Sequence, residues 1–486
     1  MAVHSLPVPS SSNGGKAPRR TQPVSFYGQS VFSKYYAHSI CAFLLLVPFL
    51  VMPVQAQAGQ GPIDITNCVT NYDANTDYFS SKIQVDDAAL FSVRYEKNYK
   101  VVTNTAVNQA YVLTQCGTPA PAASLFPNTT LFFNVPLKNV ASLATTAVAF
   151  LEMLGKRSAI KAVDTEGLVS SPCIQLGLNQ SEIIGLEDKN LTLRADQFKA
   201  VDLVFSSMVP GDADVKAKTV ITSEVSDPGP LNRAEWLEFY STFFNLEESA
   251  QKLTANINNN YNCFKSAANA KPAKPIIAWS SYVAPSEFNN NTASWTLSGA
   301  PYKMRLSTDA GATFFNGTTT STFSSATAFA DALKDVDVVI DETFTGDDLA
   351  SFFKSYGLTA TSPHKFIQNK AIFRQDGLIN PNDGRDWFAS AVAMNDAVLQ
   401  DVVRAVHPDI LPSNAPYNWL RNIAKDEPKR LLTAANCTTP NSNTPLPDRA
   451  LVCADIKAGG SGSAGSKTVA GALTAILALV AAALAL

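Results

Sequence analysis

The sequence predicts an α/β protein of two lobes with parallel-rich sheets, joined by a long helical segment. Three observations carry this expectation. Short apolar strand patterns alternate with helical patterns between Phe132 and Thr222, and the alternation restarts at Lys274. Between the two, Asn232–Lys265 reads as helix without one Gly or Pro. The chain between its two terminal segments, roughly residues 59–460, is too long for one typical hydrophobic core.

In chain order, Ala88 to Cys116 reads as two strands and a turn, rich in Val, Tyr and Phe, in an antiparallel element. A Pro/Ala loop at 118–127 follows. Phe132–Val135 and Ala141–Leu143 are short apolar strands, Thr145–Leu154 has helical periodicity ending at Gly155, and Ala159–Val163 is a strand with a polar loop behind it. Leu203–Ser206 and Thr219–Thr222 complete the first lobe. The helical stretch keeps Trp236, Tyr240 and Phe243–Phe244 on one side, then continues with Leu246, Ala250, Leu253 and Ile257. After the hinge NAKPAKP, strands are expected at Lys274–Ser281, Val336–Asp341 and Lys370–Arg374. Helices are expected at Ala326–Leu333 and Leu349–Tyr356, with a closing helix at Trp387–Ala405. The tyrosine- and lysine-bearing run PYKMR is expected on a surface strand or as a cationic, aromatic wall.

Both ends read as expected targeting signals. Lys16, Arg19, Arg20 and Lys34 precede the apolar run SICAFLLLVPFLVMPV and the small-residue site Ala56-Gln57-Ala58, which reads as a secretory signal peptide over 1–58. Pro48 and Pro53 break that run, against a membrane span. At the other end AGGSGSAGSK precedes an uncharged apolar tail, the pattern of a GPI-attachment signal over 459–486, with Gly460 as the expected attachment residue. The intervening division is an N-terminal lobe at 59–231, the connecting segment at 232–270, a C-terminal lobe at 271–412 and a disulfide-bearing tail at 413–458. The expected location is the outer face of the plasma membrane or the cell wall.

Setting aside Cys41 in the signal, Cys68, Cys116, Cys173, Cys263, Cys437 and Cys453 remain, an even set that suggests three bridges. Six cysteines allow fifteen pairings. Cys68–Cys116, Cys173–Cys263 and Cys437–Cys453 are preferred, and only the last rests on sequence proximity. Glycan-acceptor sequons stand at Asn128, Asn179, Asn190, Asn290, Asn316 and Asn436. Net charge is −3, and −8 once the four basic residues of the signal and Lys467 are removed, without the clustered basic face of a nucleic-acid binder.

The order of these pieces resembles the class of periplasmic-type substrate-binding proteins that carry iron–siderophore, haem or cobalamin, in which two Rossmann-like lobes are joined by one long helix. LKNVASLATTAVAFLEMLGKRSAIKAVDTEG resembles the opening strand–helix–strand of that class, and VDLVFSS its next strand. RAEWLEFYSTFFNLEESAQKLTANI resembles the connecting region, and DGRDWFASAVAMNDAVLQDVVRAVHPDILP the closing element. The resemblance spans about residues 88–412, and the sequons and GPI pattern make the chain most like fungal surface members of the group. It implies a monomeric, surface-anchored binder of a small organic ligand or metal chelate. A structural or adhesive surface glycoprotein and a secreted enzyme are the alternatives.

Ligands of open parallel sheets bind beyond the carboxyl ends of the strands. That nominates Asp164, Thr165 and Glu166; Ser206 and Ser207; Ser280, Ser281 and Tyr282; and Asp341 and Glu342. Tyr302, Lys303 and Arg305 would form the cationic wall. Arg385 is a further candidate, beside a Trp387 expected to pack. Only His364 and His407 remain as mature histidines, and oxidised cysteines are not ligands, so direct metal binding by side chains is disfavoured. No cofactor is expected, and G-x-S-x-G, H-E-x-x-H and P-loop motifs do not occur.

Overall fold

The computed structural model describes residues 67–317, 321–438 and 443–452. The signal peptide over 1–58, Cys453, Gly460 and the 459–486 segment lie outside the described residues. Among the described residues no helix is long and apolar enough to cross a membrane.

The first lobe is a five-stranded, all-parallel sheet in the order Ile184–Gly185, Ile160–Val163, Val140–Ser142, Leu203–Ser206, Thr219–Ile221. Its central strand comes first in sequence, so the chain winds outward on one side and then returns to the other. The crevice at such a reversal opens at the carboxyl end of the central strand, at Ser142. The second lobe repeats the plan. Ile276–Val283 is central, paired in parallel with Val338–Asp341 on one side and with Thr313–Phe315 on the other. Ile372–Arg374 follows in parallel, and Arg421–Asn422 adds an antiparallel edge from beyond residue 412. The mixed α/β architecture with parallel-rich sheets is as expected.

The segment expected as two strands forms three, Phe91–Tyr95, Tyr99–Asn104 and Gln109–Gln115, and Leu131–Val135 joins them in parallel rather than entering the main sheet. This extra layer covers the helix Trp236–Ser241 from outside. That explains why the helix is buried on every side instead of the one that periodicity suggested: Trp236, Leu237, Phe239 and Tyr240 are all solvent-inaccessible. Phe91 packs edge-on to Trp236 at 5.2 Å, and Phe150 stacks on Tyr240 at 4.8 Å.

The connecting helix proper is Glu247–Asn269, 23 residues or roughly 35 Å at the α-helical rise. Ala250, Thr254, Ile257, Tyr261, Phe264 and Ala268 recur at spacings of three and four and form its buried face, packed against the helix Asn395–Val406. The closing helix starts eight residues later than expected. Asp386–Phe388 is a single 3₁₀ turn, because the buried Asp386 carboxylate accepts hydrogen bonds from Ser170, Ser390, Trp419 and Arg449. These contacts override the helical propensity of the following alanines. The run PYKMR is also corrected: it opens the helix Pro301–Asp309, with proline in its first turn.

Two disulfides are described, Cys68–Cys116 and Cys173–Cys437. The first is as expected. The second overturns both Cys173–Cys263 and Cys437–Cys453, since Cys173 and Cys437 hold each other with Cα atoms 4.7 Å apart. Proximity in sequence misled because the tail folds back across the first lobe: Gln175 donates to the Leu432 carbonyl, and the Leu446 amide bonds the Glu152 carbonyl. Cys263 is also disulfide-bonded.

Candidate functional site

The crevice at the end of the central strand of the first lobe faces the second lobe directly. Thr145, opening the helix after that strand, donates from Oγ1 to the Phe388 carbonyl at 2.9 Å. Beside this contact lies a cavity of about 210 Å3, lined by Thr146 and Val225 from the first lobe, Arg233 from the start of the connecting segment, and Tyr302, Leu306, Trp387 and Phe388 from the other side. The Arg233 guanidinium sits 3.6 Å from the centre of the Tyr302 ring. Burial first, eased by the neighbouring phenol and carboxylates, holds Arg233 below the usual guanidinium range. Beneath the floor, the Glu224 carboxyl accepts from Thr146 Oγ1 at 2.5 Å, while its Oε2 is buried without a hydrogen-bond partner. Burial pushes this carboxyl up from its ordinary value.

At the rim, Phe344 and Phe388 stack with centroids 5.5 Å apart and planes 13° from parallel, yet they are 71 % and 44 % exposed. Arg385 lies against this pair, 4.7 Å from the Phe344 centroid, and its Nη2 donates to the Thr343 and Phe344 carbonyls. Its Nη1 is buried and has no hydrogen-bond partner. Burial, and after it the charge of Arg374, lowers the Arg385 pKa. An exposed aromatic ledge with a guanidinium against it offers a planar or anionic ligand a stacking face next to positive charge.

The sequence-nominated residues divide between this cleft and the structure behind it. Tyr302 reaches the cavity. Lys303 lies next to it, clamped to Glu342 at 2.5 and 2.6 Å and to Ser298 at 3.1 Å, so both charges are spent on each other. Arg385 stands at the rim. Asp341 is solvent-inaccessible and holds Arg374, the Tyr356 hydroxyl at 2.9 Å and Thr343, a role internal to the second lobe. Ser280 is buried behind the same Tyr356 hydroxyl at 3.0 Å. Ser281 is half-buried in the strand, and Tyr282 packs on Trp295.

In the first lobe Asp164 is paired with Arg194 at 2.9 Å, Thr165 adopts a left-handed backbone at φ 51°, and Glu166 lies in a separate surface hollow with Asn380 and Asn382. Ser206 folds back onto its own loop through Met208, and Ser207 is exposed. Arg305 lies on the exposed face of its helix, away from the cavity-lining Tyr302 and Leu306. The sequence reading missed Thr146, Glu224, Arg233, Phe344 and Phe388. Phe344 carried a usable signal, an aromatic residue in the polar turn DETFTGDD. Arg233 and Glu224 carried none, since only the tertiary fold brings them to the cleft. Among the described residues no three His, Cys, Asp or Glu side chains form a metal set. All six sequon asparagines are exposed.

No family model and no curated protein matches the chain. Among solved structures, it is similar to a periplasmic binding protein from Veillonella parvula at 13% identity and a TM-score of 0.43, over 58% of this chain and 88% of that one. It is also similar to a periplasmic heme-binding protein from Pseudomonas aeruginosa (13%, 0.40, 56% and 93%). A third is an Fe3+-hydroxamate transport-system protein from Saccharomonospora viridis (14%, 0.41, 56% and 94%). At such similarity the chain's own residues must supply the functional argument.

Proposed function

We propose that this chain is a surface-displayed binding protein whose interlobe cleft takes a small organic ligand or metal chelate of siderophore, haem or cobalamin type, without catalysing a reaction on it. The single observation that carries the reading is the exposed Phe344–Phe388 stack beside Arg385 with its buried, unpartnered Nη1. Large aromatic rings left in water at the junction of two lobes, next to an unsatisfied donor, favour a ligand over a packing role. The cavity of about 210 Å3 is smaller than the ~300–1,000 Å3 of sites that enclose a drug-sized molecule. A ligand of that class would therefore enter the cavity with one edge and lie on the ledge with the rest. Two disulfides favour an oxidising compartment, in keeping with the proposed secretion and lipid-anchored display as a monomer.

The test is a thermal-shift screen with ferric siderophores, haem and cobalamins, paired with native mass spectrometry of protein isolated from its own host. A ligand that binds only the folded state adds ~2.7 kcal/mol at a hundredfold excess over Kd. A melting-temperature rise with one chelate, or a co-purifying mass of that class, supports the reading. No shift and no bound mass would favour a structural or adhesive glycoprotein, and turnover would favour an enzyme.

A further inference from the structure

The helix Thr145–Met153 carries Thr145, Val148, Ala149 and Glu152 at spacings of three and four, along one face. That face borders a second cavity, of about 340 Å3, which shares no lining residue with the cleft cavity. The other walls are the start of the helix Pro172–Asn179, the turn around Asp386 and Ser390, and the returning tail with Pro445, Leu446 and Pro447. The tail is held there by the bond from the Leu446 amide to the Glu152 carbonyl at 2.8 Å and by the Cys173–Cys437 bridge.

Protein interiors pack with few voids larger than a water, so an opening of this size is not what side-chain packing alone leaves. It falls within the ~300–1,000 Å3 range of small-molecule sites. An apolar cavity of about 150 Å3 takes up benzene, so this one has room for about two fused rings.

The walls are mostly apolar, and the charged groups among them are opposed in pairs. Arg449 Nη1 donates to Asp386 and Ser390, and the Asp386 carboxylate also accepts from Ser170 and Trp419. Arg157 donates to Glu152 at 3.4 Å. Glu152 differs from Asp386. It is 3 % exposed, and the hydrogen bonds its carboxyl accepts among the described residues, from Ser171 at 2.9 Å and from Arg157, both reach Oε1. That leaves Oε2 open to a ligand. Burial, with the Asp386 charge in support, pushes this carboxyl up from its ordinary value, and a protonated carboxyl donates as well as accepts. An anionic guest would meet the Asp386 carboxylate with both guanidinium groups already opposed.

We propose that this cavity is a second binding site, for an uncharged, largely apolar molecule of about two fused rings whose single hydroxyl or carbonyl group pairs with Glu152 Oε2. Val148, Ala149, Pro445 and Pro447 supply the surfaces that the rings contact. The site is independent of the cleft proposal, since the two cavities have separate walls.

Calorimetric titration of the full chain with 2-naphthol, a probe of this class, tests it. One saturable site per chain is expected, with a rise in melting temperature. Naphthalene-2-carboxylate has the same ring system but a charge, and should bind roughly tenfold more weakly, because a buried charge without a free partner is costly. Val148→Phe and Ala149→Leu fill the cavity from the helix side, and each should weaken 2-naphthol binding by roughly tenfold or more. Circular dichroism checks that both variants fold. Photolabelling of the parent chain with an azidonaphthol locates the site without any variant: the label should fall on the peptides bearing Val148 or Leu446. Absence of 2-naphthol binding, label confined to other peptides, or full-strength binding in both folded variants would overturn the proposal. Equal or tighter binding of the carboxylate would overturn the uncharged class.

Discussion

Replacing Arg374 with leucine is expected to cost about 3–5 kcal/mol of stability, the usual price of breaking a buried ion pair from one side. The magnitude follows from the surroundings. Arg374 is 1 % exposed and Asp341 is inaccessible, so neither charge is screened by water. The guanidinium holds the Asp341 carboxylate and the Thr343 carbonyl. With leucine in its place, Asp341 keeps the Tyr356 hydroxyl at 2.9 Å and Thr343 but has lost its one charged partner among the described residues. Adding Asp341→Asn removes the stranded charge, so the double variant should be more stable than Arg374→Leu alone. Urea unfolding followed by tryptophan fluorescence measures this, because the buried Trp279 lies on the adjacent strand. A cost below ~1 kcal/mol, the level of an exposed pair, would refute the reasoning. So would a double variant that is merely the sum of its parts.

Three further outcomes are expected. Non-reducing peptide mapping should recover Cys68–Cys116 and Cys173–Cys437; a peptide joining Cys437 to Cys453 would contradict the folded-back tail. Burial, and then the facing Asp448 carboxyl, raises the Asp396 pKa well above 3.8, so the folded state keeps a proton that the unfolded chain releases. Stability from this group is full below that unfolded value and is lost as pH climbs toward the folded one, so Asp396→Asn should flatten the decline that begins above about pH 4; an unchanged profile would count against the pair. Phe344→Ala should change stability by no more than ~0.5 kcal/mol, as its ring is mostly exposed, and a large loss in urea unfolding would make the ring a packing element instead.

The lobes were legible because their strands are short apolar runs such as Val338–Asp341 and Leu203–Ser206, whose pattern survives in one dimension. The outer layer was only half legible. Nothing local in Leu131–Val135 says that it pairs with Gln109–Gln115 rather than with the strand that follows it. The strand-end rule points toward the strand ends beside the candidate cleft, yet most of the side chains it nominates do not line that cleft. Polar residues at those ends, Asp341 and Ser280 among them, are consumed in bonds within their own lobe, while the surfaces left open to the cleft are aromatic. Which charges remain unspent is a tertiary fact. Lys303 and Arg385 look alike in sequence, and only the fold shows one clamped to Glu342 and the other with a donor to spare.

The most direct measurement of the central claim is the affinity of the folded protein for whichever chelate stabilises it best, compared with that of Arg385→Gln and of Phe344→Ala/Phe388→Ala. Calorimetric titration should show single-site binding in the parent chain. Arg385→Gln should weaken it by roughly tenfold or more, as expected for loss of a charge-assisted hydrogen bond, and the double alanine variant should weaken it at least as much. Unchanged affinity in both variants, with folding intact, would place the ligand elsewhere and contradict the assignment of the cleft.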